Sequence, residues 1–250
     1  MQKTYTETFR ITSTMTDLSN QWKPSSILEK MQDVATMHAD ILNVGRSDLI
    51  QKNIVWVLTR VEVEIDRYPN CNDTVSLQTF PMAHRRWFFP RYFIFRDAEG
   101  KEFGRASTLW VLLDFTTRQL TKLEDMPAMP DNSDMTAPMG FPAPVARLAV
   151  EPVSSLLTPQ YSDVDVNLHV NNTKYLDWCC NALGIETMKT HCMSHFMLNY
   201  DKEVRPDQQM NIDLRRLGDD FAFSGSFEGK RHFDVGGTLS LRDPHKALNQ

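Results

Sequence analysis

Residues 162–178 read SDVDVNLHVNNTKYLDW, and this stretch carries most of the information about the fold. Asp165, Asn167 and His169 stand at alternate positions, and alternate side chains of an extended segment point to the same side. The spacing therefore predicts one polar face that combines a carboxylate, an amide and an imidazole. An imidazole exchanges protons near neutral pH, and acyl transfer needs such a group together with an orienting amide or carboxylate.

A helix is predicted directly after this face, over residues 171–188. Asn171 and Asn172 can cap its first turn, and the N-terminal end of a helix presents backbone N–H groups and a positive dipole. We expect the N–H groups around Asn171 and Asn172 to stabilise the oxyanion that forms when an acyl carbonyl is attacked. The alternative interpretation is a purely structural turn, because Asp and Asn between apolar residues often form turns.

A pattern of one helix followed by four strands occurs twice along the chain. In the first half, periodicity predicts a helix over 25–43 and strands over 54–66, 74–82, 87–97 and 104–115. In the second half, the helix at 171–188 precedes strands predicted over 195–204, 210–217, 220–228 and 233–242. Local echoes, such as EGK at 99–101 and again at 228–230, favour an internal duplication. We therefore predict two α+β halves, each with an antiparallel sheet around one long helix, whose sheets join side by side.

The two halves are separated by a stretch rich in proline. Pro127, Pro130, Pro138, Pro142 and Pro144 all fall within residues 121–150, which favours an extended linker. The predicted organisation is a first repeat over 1–125, a Pro-rich linker over 126–150 and a second repeat over 151–250, which carries the catalytic motif.

The composition narrows the classes of protein that the chain can belong to. It has 250 residues and a formal net charge of -5, which argues against nucleic acid as a partner. No apolar run approaches the ~20 residues needed to cross a bilayer, so we expect no stable membrane insertion. The N-terminus has no apolar core of a signal peptide, which favours a cytoplasmic location. The four cysteines form no CxxC pair and have no metal-ligand spacing, so no metal site is predicted.

Four segments of the chain resemble the acyl-[acyl-carrier-protein] thioesterases of plants and many bacteria. DVDVNLHVNNTKYLDW (163–178) is similar to the family pattern D-x-D-V-N-x-H-V-N-N-x-x-Y-x-x-W. WVLTRVEVEIDRYP (56–69), RASTLWVLLDFTTRQL (105–120) and LNYDKEV (198–204) follow in the order that the family has. The resemblance covers about residues 5 to 240.

The resemblance implies an α+β double hot-dog fold, made of two tandem hot-dog repeats. It also implies hydrolysis of a fatty acyl thioester on an acyl carrier protein, which ends fatty acid synthesis, with no metal or organic cofactor, and it favours a homodimer. The catalytic positions that match are Asp165, Asn167 and His169. We expect His169 to activate water, Asp165 to orient His169 or hold that water, and Asn167 to bind the thioester carbonyl.

The resemblance is incomplete before the strand that reads HFMLNY. The family commonly has Glu-x-Cys there, and this chain has Cys192-Met193-Ser194. On that alignment Cys192 replaces the family's Glu and Ser194 replaces its Cys, so a carboxylate that could act as general base is missing at that place. Ser194 and Cys192 are therefore further candidates for the site, Ser194 as a hydrogen-bond donor or as a weaker nucleophile.

Two features of the first half bear on substrates. Arg85 and Arg86 lie in a basic cluster beside Trp87, and such a patch can steer an acidic carrier protein to the enzyme; a solvated surface loop is the alternative. The first half lacks the D-x-N-x-H pattern, so we expect one active site per chain. The resemblance indicates that the helix and strands of the first half form the acyl pocket, with Trp56 and Trp110 either in the core or lining it.

Three other functions remain compatible with the sequence. An acyl-coenzyme A thioesterase would use the same catalytic face, because the bond cleaved is the same. A hydroxyacyl dehydratase is a second alternative, since hot-dog proteins include such lyases. The third is a non-catalytic protein that binds acyl thioesters, which the missing Glu would explain.

Overall fold

Ten strands form a single antiparallel sheet, and the two longest helices pack against one of its faces. The structure is a computed structural model that describes residues 1–121 and 129–243. The helices are α1 (Pro24–Ile41), α2 (Arg46–Ile50), α3 (Lys174–Leu183) and α4 (Ile185–Thr190). The strands are β1 (Tyr5–Arg10), β2 (Ile54–Ile65), β3 (Thr74–Pro81), β4 (Phe89–Asp97), β5 (Glu102–Asp114), β6 (Val153–Leu157), β7 (His191–Tyr200), β8 (Met210–Leu217), β9 (Asp220–Phe227) and β10 (Lys230–Leu241).

The two halves of the sheet have the same strand order when each is followed outward from the middle of the sheet. The full order runs β1-β3-β4-β5-β2-β7-β10-β9-β8-β6, so each half contributes five neighbouring strands. The halves join where β2 pairs with β7, from Arg60 opposite Asn199 to Glu64 opposite His195. This order confirms the predicted double hot-dog fold with two joined sheets. The shared seam also removes one open edge from each half.

Helix α1 forms because its apolar residues recur every three or four positions. Ile27, Met31, Val34 and His38 all lie on the buried face, and Pro24 at the first helical position has the fixed φ that suits a helix start. Ile41, which the pattern also assigns to this face, is instead 43% exposed. The buried face packs against the sheet and against α3, and thus closes the core between the two repeats.

The second long helix is shorter than predicted and is broken. It begins at Lys174 rather than at residue 171, because the preceding residues belong to a turn. It ends where Gly184 adopts a φ of 87°, a left-handed conformation that favours glycine, and α4 follows as a separate helix. The strand β7 then begins at His191, four residues before its predicted start.

The segment from 129 to 152 crosses the outer face of the sheet without regular structure. The Ala143 N–H donates to the Glu62 carboxylate at 2.9 Å, and Val145 packs against Gly236, where a Cβ would lie 2.5 Å from the valine methyl. The described part of the predicted linker thus contains no helix or strand. The predicted boundary at residues 125 and 126 and Pro127 lie outside the described residues, and the three domain boundaries stay predictions.

Three elements were absent from the prediction: β1, β6 and α2. β1 and β6 are the edge strands of the sheet. The burial pattern of β1 alternates along YTETFR, but the segment is short and largely polar, so the sequence signal is weak. Within the described ranges, no helix has the length and apolar character needed to cross a membrane.

Candidate active site

Residues 165–169 form a tight turn, and the prediction that they are extended was wrong. The Asp165 N–H donates to the His169 carbonyl at 2.9 Å, and the Leu168 N–H donates back to the Asp165 carbonyl at 3.0 Å. Leu168 has a φ of 59°. The Asp165 carboxylate closes the turn, since its Oδ1 accepts from the Asn167 N–H at 2.8 Å. This preference of Asp for turns outweighed the alternating pattern.

The imidazole of His169 faces a carboxylate that the sequence reasoning missed. Nε2 of His169 lies 3.3 Å from Oε2 of Glu203, and the Arg118 guanidinium donates to the other oxygen of Glu203 at 3.3 Å. Glu203 lies three residues after the end of β7, whereas Arg118 comes from the turn after β5. The two repeats therefore build this row of Arg118, Glu203 and His169 together. A signal for Glu203 existed, because LNYDKEV is one of the segments that resemble the family.

The amide of Asn167 is held from both sides. Nη2 of Arg46 donates to its Oδ1 at 3.1 Å, and its Nδ2 lies 3.4 Å from Oδ2 of Asp165. The orientation of the amide group is fixed because its oxygen accepts from a cation and its nitrogen lies beside a carboxylate. The second N–H of Asn167 is then available to a substrate oxygen. The Asp165 carboxylate thus bonds Asn167, and it is Glu203 rather than Asp165 that faces His169.

The start of α3 brings one of the two predicted oxyanion donors to the site. The Asn171 N–H donates to the Asp163 carbonyl at 2.8 Å, and the Asn171 side chain accepts from the N–H and the hydroxyl of Thr173 in the turn before the helix. The Asn171 N–H is therefore already bonded. Asn172 lines a small cavity at this end of the sheet, and its carbonyl accepts from the Tyr200 hydroxyl at 3.1 Å.

Ser194 and Cys192 do not join this constellation. Both stand at the start of β7, whereas Glu203 follows its other end, and at about 3.3 Å per residue Ser194 is about 20 Å from Tyr200. Ser194 donates to the Thr238 carbonyl at 3.2 Å, and Cys192 contacts the Ser240 hydroxyl at 3.4 Å. Residues 192–194 contain no carboxylate, and the one that faces His169 is Glu203, beyond the opposite end of the strand.

An apolar cavity opens beside the turn, within the first repeat. Its volume is about 150 Å³, and Arg46, which bonds Asn167, lies on its wall. Trp110 lines both this cavity and the small one beside Asn172. Aromatic and small aliphatic side chains form most of the remaining wall: Ala35, Ala39, Trp56, Phe89 and Pro90. The alternative in which Trp56 and Trp110 line a pocket is thus the one that the structure supports.

The basic pair Arg85 and Arg86 lies on the tight β3–β4 hairpin, outside the turn just described. Both residues are exposed, and the Arg85 guanidinium stacks 4.9 Å from the centre of the Phe141 ring. This hairpin is at the same end of the sheet as the end of β7, because β4 begins where β5 ends and β7 runs parallel to β5 across β2. Over the described ranges, no group of three acidic, His or Cys side chains is placed to hold a metal ion.

Comparison with known proteins shows which family has this architecture. Residues 2–128 match the acyl-ACP thioesterase N-terminal domain, and residues 148–231 match the acyl-ACP thioesterase C-terminal domain. The chain belongs to the acyl-ACP thioesterase family. It is 28% identical over 202 residues to the palmitoyl-acyl carrier protein thioesterase of Gossypium hirsutum, which covers 73% of this chain and 48% of that protein. The oleoyl-acyl carrier protein thioesterase 2 of Arabidopsis thaliana is 28% identical over 228 residues, covering 81% and 60%.

Solved structures of acyl-ACP thioesterases have the same fold. The acyl-ACP thioesterase of Bacteroides thetaiotaomicron matches with a TM-score of 0.86 at 22% identity, over 95% of this chain and 98% of that one. The 12:0-ACP thioesterase of Umbellularia californica matches with a TM-score of 0.83 at 24% identity, over 96% and 98%. The chain spans about half the length of several of the plant relatives that it matches in sequence.

Proposed function

We propose that this member of the acyl-ACP thioesterase family hydrolyses fatty acyl-[acyl-carrier-protein] to a free fatty acid and the carrier. The observation that carries the proposal is the His169–Glu203 pair, 3.3 Å apart, beside an oriented amide at the opening of an apolar cavity. A base, an oxyanion donor and a chain pocket are the parts that hydrolysis of an acyl thioester requires.

In the proposed mechanism, His169 and Glu203 together activate a water molecule. The water loses a proton to the pair as its oxygen attacks the carbonyl carbon, which leaves a negative charge on the carbonyl oxygen. The C–S bond then breaks, the carbonyl forms again as the acid, and the departing sulfur takes a proton from the pair. Arg118 fixes the Glu203 carboxylate from its other side, which keeps the base oriented.

The carbonyl oxygen would be bound by the second N–H of the Asn167 side chain and by the backbone N–H of Asn172. Arg46 and Asp165 hold the Asn167 amide so that this N–H is oriented before the substrate arrives. A pre-oriented donor of this kind typically lowers the barrier by about 3 kcal/mol. Ser194 and Cys192 have no part in this mechanism.

The acyl carrier protein is the proposed donor of the acyl group, and the exposed Arg85 and Arg86 would attract its acidic surface. Acyl-coenzyme A is the alternative donor. The double substitution of Arg85 and Arg86 by Glu should lower kcat/KM for the carrier-bound substrate and leave that for the coenzyme A thioester largely unchanged. Equal losses on both donors would contradict a steering role for the hairpin.

The first experiment is hydrolysis of acyl carrier proteins loaded with saturated and unsaturated chains of graded length, with free fatty acid and free carrier thiol measured together. Release of both products at equal rates supports the thioesterase. Binding of the same panel without release would instead indicate a non-catalytic acyl-binding protein. A homodimer and a cytoplasmic location, both expected from the sequence, stay predictions; sedimentation velocity tests the first.

A further inference from the structure

Two arginines line the apolar cavity: Arg46 is exposed and bonds Asn167, whereas Arg91 is a buried cation that does not suit a plain hydrocarbon chain. Arg91 lies on β4, lines the cavity wall and is only 8% exposed. Burial lowers the pKa of Arg91 to about 10, and no charged group in the described ranges offsets that effect. The guanidinium is thus still a cation at neutral pH, but in those parts of the chain it has no carboxylate partner.

The groups that Arg91 does contact are neutral acceptors. Its Nη1 lies 3.1 Å from Nδ1 of His38 and 3.3 Å from the Thr79 hydroxyl. Burial and the neighbouring Arg91 lower the pKa of His38 to about 4, so this imidazole is neutral. Its proton must sit on Nε2, which lies 3.2 Å from the Gln2 carbonyl. Both bonds involve Nη1, and the guanidinium carries further N–H donors on Nε and Nη2.

A buried charge without an ionic partner strongly destabilises a folded protein. A hydrophobic residue at position 91 would avoid that cost and would complete an apolar wall for an unsubstituted chain. An unsubstituted chain in this cavity would also remove Arg91 further from water without giving it an acceptor. The cation is therefore suited to a ligand that brings an oxygen atom to it.

We propose that this cavity accepts acyl groups that carry an oxygen atom, as a hydroxyl, keto or carboxylate group, in the part of the chain far from the thioester, and that Arg91 donates a hydrogen bond to that oxygen. The inference rests on the proposed thioesterase function and names the substrate class of that site. Arg91 is then the residue that selects oxygenated over plain chains of equal length.

The position of Arg91 in the sheet decides where on the chain the oxygen must be. Arg91 pairs with Thr108 of β5, Thr108 with Val61 of β2, and Val61 with Leu198 of β7. Three strand spacings of about 4.8 Å place Arg91 about 14 Å from β7, beyond whose end the His169–Glu203 pair lies. An oxygen on the second or third carbon would remain beside that pair, and only a distal oxygen would meet Arg91.

The test compares carrier proteins loaded with acyl chains of one length. One chain is unsubstituted, others carry a hydroxyl at successive positions from mid-chain to the terminal carbon, and one ends in a carboxylate. For the wild-type protein we expect kcat/KM to be about tenfold higher for at least one oxygenated chain, which is the effect of one hydrogen bond to a charged group. The hydroxyl and carboxylate arms show which oxygen the site prefers.

Substitution of Arg91 separates the cation from other causes of such a preference. Arg91→Met should abolish the preference while plain chains are still hydrolysed, and Arg91→Lys should retain part of it. Arg105→Met is the matched control, because Arg105 pairs with Glu64 at 2.6 Å and is about two-fifths exposed; it should leave the preference intact. A preference that survives in Arg91→Met, or a wild-type protein without one, overturns the inference.

A second measurement does not depend on a variant that folds. Free fatty acids of one length, either unsubstituted or with a distal hydroxyl, keto or carboxylate group, are added to the wild-type protein and the melting temperature is recorded. At least one oxygenated acid should raise it more than the unsubstituted acid, and equal shifts for all four acids contradict the inference. If no acyl carrier substrate at all is hydrolysed, the proposed thioesterase function fails, whereas hydrolysis of plain chains alone overturns only the assignment of the substrate class.

Discussion

Residues 17–21 of the first repeat form the same backbone turn as residues 165–169 of the second. The Asp17 N–H donates to the Gln21 carbonyl at 2.8 Å, the Asn20 N–H donates back to the Asp17 carbonyl at 3.0 Å, and the Asp17 carboxylate accepts from the Ser19 N–H at 2.8 Å. Asn20 has a φ of 59°, equal to that of Leu168. Both turns are thus built by an Asp that closes the loop and a left-handed residue three positions later.

The side chains around the two turns differ in their exposure to solvent. In the first turn Gln21 stands where His169 stands in the second, and Arg242 bonds both Gln21 and Asp17. The Arg242 side chain is only 5% exposed, so the polar groups that it bonds in the first turn are shielded from solvent. Beside the second turn Glu203 and Arg118 are each about half exposed, and Arg46, which bonds Asn167, lies on the wall of the apolar cavity.

A third equivalence concerns the position that Glu203 occupies in the second repeat. The residue after the first turn, Trp22, donates to the Pro69 carbonyl, and Val170 donates likewise to Val204. The residues before these acceptors are Tyr68 and Glu203. Tyr68 is buried and donates to the Met193 carbonyl at 2.7 Å, and burial raises its pKa well above the ordinary value. One backbone motif therefore serves as structure in one repeat and as a candidate active site in the other.

The largest effect that this comparison predicts is on stability, in the first turn. Arg242→Met removes the cation that pairs with the mostly buried Asp17 carboxylate, and it should lower the free energy of unfolding by about 3 kcal/mol. Urea denaturation followed by circular dichroism measures the change. The corresponding loss for Arg118→Met should stay below about 1 kcal/mol, since its pair with Glu203 is exposed. Similar losses for both variants would contradict the difference in burial between the two ion pairs.

The next effect is on catalysis, in the second turn. His169→Ala should lower turnover of an acyl carrier substrate at least about a hundredfold, because general acid–base catalysis contributes that much or more. Gln21→Ala is the matched change in the first turn, and it should leave kcat unchanged once the protein is folded. Free carrier thiol is measured over time. Unchanged turnover in His169→Ala would refute the site assignment.

A smaller effect is expected from the cation that orients the base. Arg118→Met should lower kcat/KM about tenfold, because the Glu203 carboxylate is held less firmly in position. Arg118→Lys keeps the charge and should recover part of the loss. Steady-state kinetics on one acyl carrier substrate measure all three proteins. Full activity in Arg118→Met would show that Glu203 needs no second partner.

The smallest effect concerns a contact that joins the repeats but touches neither turn. His195 and Glu62 face each other at 2.9 Å on neighbouring strands. The hydrogen bond to Glu62 raises the pKa of His195. Burial alone would raise the pKa of Glu62, but hydrogen bonds from His195 and Ala143 bring it below its ordinary value.

The sign of the pH dependence follows from these two directions. Stabilisation through His195 is complete below its ordinary pKa of about 6.5 and is lost as pH rises through its raised folded value. Stabilisation through Glu62 is present above its ordinary pKa and is lost as pH falls through its lowered value. The free energy of unfolding of wild type should thus exceed that of His195→Gln most near pH 6, by up to about 1 kcal/mol. His84→Gln on the exposed hairpin is the control, and a difference that does not vary with pH would contradict the pairing.

The sequence by itself determined the repeat, the long helices and most of the strands. Apolar residues at helical spacing fix which face of α1 is buried, and alternation fixes strands such as β8, whose predicted bounds 210–217 are those observed. The motif at 163–178 also named the three polar residues of the second turn. These signals are local: a pattern of burial within one segment needs no knowledge of its neighbours.

Only the tertiary structure decided which groups meet. Glu203 lies 34 positions after His169 and Arg46 lies 121 positions before Asn167, a separation over which periodicity carries no information. The same is true of Cys192, which stands in the strand that leads to Glu203 but at its far end. Periodicity can also fail within a single segment. The Asp165 side chain accepts from the Asn167 backbone N–H and thereby bends a stretch whose alternating pattern predicts a strand. Local preference built the two turns alike, and the long-range contacts of Arg242, Glu203 and Arg46 made one of them structural and left the other open to a substrate.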